Sequence, residues 1–129
     1  MSLFDWFLVG HLVGDFVLQS DKMASCKPQE SCWLLRHVAV YMIAMTVILV
    51  AYTATHPLPP ALAVLAWLFI LTTHILLDRR YIVRWWMSLI GQSSRQPWLQ
   101  IVVDQVFHLI TLAIVAQVLD WAVGQGGGP

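Results

Sequence analysis

The chain has 129 residues, 59% hydrophobic and 11% charged, with seven Lys and Arg balanced by seven Asp and Glu. A mean hydropathy of +0.72 leaves too little polar surface to disperse a soluble domain of this size and points to the membrane class. Zero net charge carries no signature of a nucleic-acid partner, and none is expected.

The first apolar stretch runs from Leu3 to Gln19. It lacks a basic leader and a small-residue cleavage site, and His11 and Asp15 interrupt it, so it reads as a retained helix and not a signal peptide. The polar segment SDKMASCKPQES follows. Its Cys26, with the nearby Cys32, is too little for a disulfide framework, and the spacing is not that of a zinc knuckle. A second helix is expected from Cys32 to Thr55, stopped by the helix-breaking HPLPP. The third runs from Ala61 to Asp78. Residues 79–90 then read as a short helix at the headgroups, with Arg80, Arg84 and Ser88 on one side and Tyr81, Ile82, Trp85 and Leu89 on the other. That segment serves as an anchor or, more sharply, uses Arg79, Arg80 and Arg84 to hold an anionic headgroup or phosphate. After the loop GQSSRQP, a fourth helix spans Trp98 to Val123, and GQGGGP forms a flexible tail. The expectation is one all-α domain over 1–129: a polytopic bundle of four transmembrane helices plus a short interfacial helix.

Orientation follows from the basic residues. Lys22, Lys27 and Arg36 flank the first connection, and Arg79, Arg80, Arg84 and Arg95 the third. The positive-inside rule puts both connections in the cytoplasm and both termini outside, in a bacterial inner membrane.

Each helix carries an embedded histidine, and three add an aspartate: His11 and Asp15, His37, His74 and Asp78, Asp104 and His108. Within each pair the four-residue spacing puts both groups on one helix face. In an antiparallel bundle all seven residues fall in one slab of the membrane, about two turns or less from the cytoplasmic boundary. A buried aspartate costs roughly 2.5–3.5 kcal/mol near a membrane centre, less toward the interface, so something compensates the set. The blander explanation is polar glue, with Asp and His pairing across helices. The sharper one is a metal site, because carboxylate and neutral imidazole are natural ligands of divalent zinc, iron or manganese. His11, Asp15, His37, His74, Asp78, Asp104 and His108 are then ligands to one or two ions, with a non-ligating carboxylate among Asp15, Asp78 and Asp104 acting as catalytic base. Gln19, Tyr41, Gln100 and Gln105 are placed to support the ligands. Gly10 and Gly14 form a GxxxG that allows close helix approach. Asp5, Asp120 and His56 read as solvated.

The blocks HLVGDFVLQSDKMA, RHVAVY, HILLDRR and DQVFHL, in that order, resemble the bacterial membrane family called domain of unknown function 3307. The resemblance covers about Phe7 to Leu112 and implies a small multi-helix membrane protein with His11, Asp15, Gln19, His37, His74, Asp78, Asp104 and His108 at the motif positions. It implies no reaction. The expected function is a metal-dependent membrane hydrolase acting on a lipid or phosphate-containing substrate. The alternatives are an accessory or cofactor-binding subunit of a homo-oligomer or larger membrane complex, and a transporter or proton relay. No GxSxG motif is present to support a serine nucleophile.

Overall fold

The computed structural model describes residues 1–92 and 96–126. They form α1 (Leu3–Leu12), a π-helical turn (Val13–Val17), α2 (Asp21–Cys26), α3 (Ser31–Thr53), α4 (Pro60–Asp78), α5 (Tyr81–Leu89) and α6 (Pro97–Gly126), with no strand among the described residues. Arg95 lies outside the described residues, as do parts of the GQSSRQP loop and the GQGGGP tail. α1, α3, α4 and α6 make the bundle: α1 packs on α3 and α6, and α4 on α3 and α6. The short helices α2 and α5 sit at the end where α1 and α4 finish and α3 and α6 begin.

Among the described residues three helices, not four, are long and apolar enough to cross a membrane: Ser31–Thr53, Pro60–Asp78 and Pro97–Gly124. The expectation of a fourth, Leu3 to Gln19, is corrected. α1 has 10 residues and the π-helical turn five, about 22 Å together at ~1.5 Å per residue, against ~30 Å of hydrocarbon. The chain leaves the helix at Leu18, whose N–H bonds the Val13 carbonyl across a π turn. Ser20 then caps the next helix by accepting from the Met23 N–H. The polar segment is therefore not merely a loop. Its α2 turns the chain back under the bundle.

Helix boundaries follow local chemistry. Ser2 and Asp5 form a capping box at α1. Pro60 occupies the first turn of α4, where its missing N–H costs nothing. α4 ends at Asp78, and Arg80, just before α5, has a left-handed φ of 57°, an uncommon state for a residue with a Cβ. That break separates α4 from α5 and turns α5 across the bundle end.

The bundle is polar at one level inside and apolar outside. Leu3, Phe7, Met45, Ile70, Leu112 and Leu119 belong to one buried cluster. Large apolar side chains such as Ile43, Val47, Leu65, Phe69 and Ile114 face outward, each more than half exposed. On α5 the buried residues are Val83 and Met87, while Tyr81, Trp85 and Leu89 face outward.

The GxxxG reading holds in space. A Cβ on Gly14 would lie 2.8 Å from Tyr41 Cδ2 and 3.1 Å from Tyr41 Cα; one on Gly10 would lie 2.9 Å from Met45 Sδ. Only glycine lets α1 and the π turn come this close to α3.

Candidate functional site

The four bundle helices bring their embedded polar groups to one level. His11, Asp15, His37, His74, Asp78, Asp104 and His108 are all buried. The π turn matters here. It re-aims Asp15 relative to His11, so the two share a neighbourhood but approach no closer than 4.0 Å.

Among the described residues, Asp15, His37, His74 and Asp78 converge, each offering one ligand atom, all within 4.8 Å of one another. His37 Nε2 stands 3.1 Å from His74 Nε2, 3.1 Å from Asp15 Oδ1 and 3.2 Å from Asp78 Oδ2. His74 Nε2 is also 3.2 Å from Asp78 Oδ2. Four ligands at ~2.0–2.1 Å from a tetrahedral ion are separated by edges of about 3.3 Å, close to these distances. One imidazole nitrogen carries either one proton or one lone pair, so His37 Nε2 cannot by itself satisfy all these neighbours. The donor set and its spacing thus fit a divalent cation.

The other three expected ligands are neighbours and not members of this group. His11 has both ring nitrogens engaged. Nε2 is 2.8 Å from Gln105 Oε1, an acceptor, so it donates; Nδ1 then accepts from the Tyr41 hydroxyl at 3.2 Å. Gln105 donates its amide to Asp15 Oδ2, so His11, Gln105 and Tyr41 together orient that carboxylate. His108 donates Nδ1–H to the Asp104 carbonyl at 2.9 Å, which fixes its tautomer. Its Nε2 faces Asp78 Oδ1 at 4.0 Å. Asp104 has its Oδ1 3.7 Å from His108 Nδ1 and its Oδ2 4.0 Å from Arg80 Nε.

Of the supporting residues, Tyr41 also stacks on the His74 ring at 3.5 Å between centroids, which holds that imidazole flat. Gln19 donates to the Asp15 carbonyl at 2.7 Å and stabilises the end of the π turn. Gln100 is half-buried on α6, one turn before Asp104. The three arginines part company. Arg79 ties α4 to α3 through Ser31 Oγ at 2.7 Å, Arg84 lies over the Tyr81 ring, and only Arg80 turns inward. His56 and Asp120 are exposed, and Asp5 is committed to its cap.

One functional residue is missing from the sequence reading. Lys27, taken there as a topogenic surface charge, is 2% exposed and enters the cluster. Its Nζ lies 2.8 Å from Asp15 Oδ1, 2.8 Å from Asp78 Oδ1 and 3.1 Å from His37 Nε2. The ammonium donates to Asp15 Oδ1 and pairs by charge with Asp78 Oδ1. Nothing local could have separated this lysine from Lys22, five residues earlier and exposed. It is delivered by α2, which folds back beneath the bundle, and by the buried Pro28 that follows.

A cavity of about 460 Å³ opens beside the cluster, lined by Asp15, Gln19, Lys27, Arg80 and Asp104 among others. It gives the Asp15 side of the centre a route to the outside of the bundle.

The fold and site define an all-helical bundle with three apolar helices of spanning length and a buried His/Asp/Lys centre near one end. The chain matches the family described as "Protein of unknown function (DUF3307)" over residues 3–125 and belongs to that family. No curated protein and no solved structure matches it.

Proposed function

We propose that this is an integral membrane protein of a bacterial inner membrane whose buried centre holds a divalent zinc, iron or manganese ion and hydrolyses a lipid or phosphate-containing substrate reached from the cytoplasmic leaflet. The observation that carries the reading is the convergence of Asp15, His37, His74 and Asp78, with four of the six separations at 3.1–3.2 Å and all ligand atoms within 4.8 Å. The apolar outer surface supports the membrane setting, since lipid tails are as apolar as the side chains that face them. The spanning elements are α3, α4 and α6. α1 enters from the opposite face only as deep as the centre. Both termini lie on that opposite, outer side, because Lys22, Arg36, Arg79, Arg80 and Arg84 cluster at the centre's end.

Asp15, His37, His74 and Asp78 would hold the ion. A bound divalent ion lowers the pKa of a coordinated water enough to make hydroxide near neutral pH. The Lys27 ammonium now sits 2.8 Å from both carboxylates; it would have to draw back for an ion to enter, and would then leave a positive charge beside it. Asp104, on the cavity lining and outside the ligand group, is the carboxylate placed to meet a substrate that enters by the cavity. The outer half of the bundle core is apolar, which supports a one-sided enzyme over a through-path.

Elemental analysis of detergent-purified protein tests the reading. Stoichiometric metal is expected in the wild type and loss of it in His74→Ala and Asp78→Asn. Wild type that takes up none of the three metals after reconstitution overturns it.

Lys27 favours a second reading. Its ammonium already supplies a cation to both carboxylates, so the cluster is closed without metal as a polar core that locks four helices in register. A homo-oligomer or larger membrane complex would then be the working unit.

A further inference from the structure

We propose that the cavity beside the centre binds a zwitterionic phospho-amine, the chemistry of a phosphoethanolamine headgroup. As the substrate class of the hydrolytic centre this rests on the reading above; as a binding site it stands on the cavity alone.

Three residues that line the cavity carry polar atoms with no protein partner. Asp104 Oδ1 and Gln19 Oε1 are acceptors, and Arg80 Nε is a donor; all three are buried without a hydrogen bond. Asp104 as a whole is 1% exposed. A buried carboxylate oxygen left alone costs more than any neutral group, so this atom in particular calls for a ligand donor. Arg80 does not supply it. Its Nε stays 4.0 Å from Asp104 Oδ2, beyond hydrogen-bond distance.

Charge then selects the ligand. Lys27 and Asp15 satisfy each other within the cluster. That leaves Arg80 as the cation on the cavity wall and Asp104 with Asp21 as the anions. A simple anion such as phosphate would suit Arg80 but face two carboxylates. A simple amine would suit Asp104 but leave Arg80 unmatched. A single molecule with an oxyanion at one end and an ammonium at the other meets both, and Gln19 Oε1 can take a further proton of the ammonium.

Backbone and rim agree. Arg80 is the positive-φ residue with a side chain among those described, and its N–H bonds the Leu77 carbonyl at 2.7 Å, which fixes its place after α4. Two of the lining residues are apolar and outward-facing, Phe16 at 51% and Ile101 at 41% exposure. They form a wall along which acyl chains can leave a headgroup seated between Arg80 and Asp104. A volume of about 460 Å³ lies within the ~300–1,000 Å³ range of ligand sites.

The test is calorimetric titration of the full chain in detergent with phosphoethanolamine, inorganic phosphate, ethanolamine, and short-chain phosphatidylethanolamine and phosphatidylglycerol. Phosphoethanolamine is expected to bind at least about tenfold more tightly than phosphate or ethanolamine, the loss that one missing charged hydrogen bond produces. Arg80→Gln and Asp104→Asn should each lose about tenfold or more. Short-chain phosphatidylethanolamine binding more tightly than phosphoethanolamine assigns the site to a lipid; equal affinities assign it to the soluble phospho-amine. Phosphate or phosphatidylglycerol binding as well as the zwitterion overturns the proposal, as do variants that bind like wild type. If Asp104→Asn does not fold, Arg80→Gln decides, because Arg80 sits at the rim with 18% of its side chain exposed. Metal content is measured on the same samples. Metal without zwitterion binding sinks this inference alone, and zwitterion binding by protein that takes up no metal after reconstitution sinks only the reading of the centre.

Discussion

Lys27 offers the sharpest perturbation. Lys27→Met keeps the length and apolar stem of the side chain and deletes its charge. In the native arrangement the ammonium touches Asp15 and Asp78, each at 2.8 Å, and both carboxylates are at most 1% exposed. Deleting one partner of a buried pair costs about 3–5 kcal/mol, because the surviving charge stays desolvated. Here two carboxylates survive, so without metal the loss belongs at the upper end of that range or above. A divalent ion reverses the sign. Two carboxylates and two imidazoles freed of a competing ammonium form a better cation site, and Lys27→Met should bind zinc more tightly than wild type. The assay is denaturation in mixed micelles, in chelator and in zinc, with zinc affinity from competition with a chromophoric chelator. Loss of at least about 3 kcal/mol in chelator, largely recovered in zinc, is expected. Lys27→Met as stable as wild type in chelator would refute the placement of this side chain. Destabilisation that zinc does not recover would favour the metal-free polar core.

Gly14→Ala should destabilise by about 1–3 kcal/mol, since the new Cβ meets the Tyr41 backbone, while Gly10→Ala should cost less because a flexible Met45 sulfur can yield; denaturation midpoints compare them. Tyr41→Phe removes the hydroxyl facing His11 Nδ1 and should cost about 1 kcal/mol. If metal is bound, its content should persist in this variant, because the stacked ring on His74 is kept. Met87→Ala should loosen α5 by about 2–5 kcal/mol, since Met87 and Val83 are its buried anchors; faster amide exchange over 81–89 with the bundle unchanged is the readout.

The sequence by itself determined the existence of the four bundle helices and of α5, the four-residue stripes and their common level, though not α2. These are periodic, local signals: an aspartate or histidine one turn from another shares its face whatever surrounds it. Turn chemistry was equally legible at HPLPP, where proline ends one long helix and starts the next. Which stripe residues meet was not legible. Asp15, His37, His74 and Asp78 converge while His11 turns to Gln105 and Tyr41, a choice made by helix rotation and by a π turn whose extra residue leaves no mark in hydropathy. Hydropathy likewise credited α1 with a full span, because it counts apolar residues and not the geometry that ends a helix at Val17. Lys27 depended wholly on tertiary structure. Its neighbours are polar, and a lysine in such a segment is ordinarily solvated. Only the return of α2 beneath the bundle brings its ammonium to two carboxylates that need it. Local spacing sets a side chain's direction along its own helix, but its partners depend on how separate elements pack, and that was decided in three dimensions.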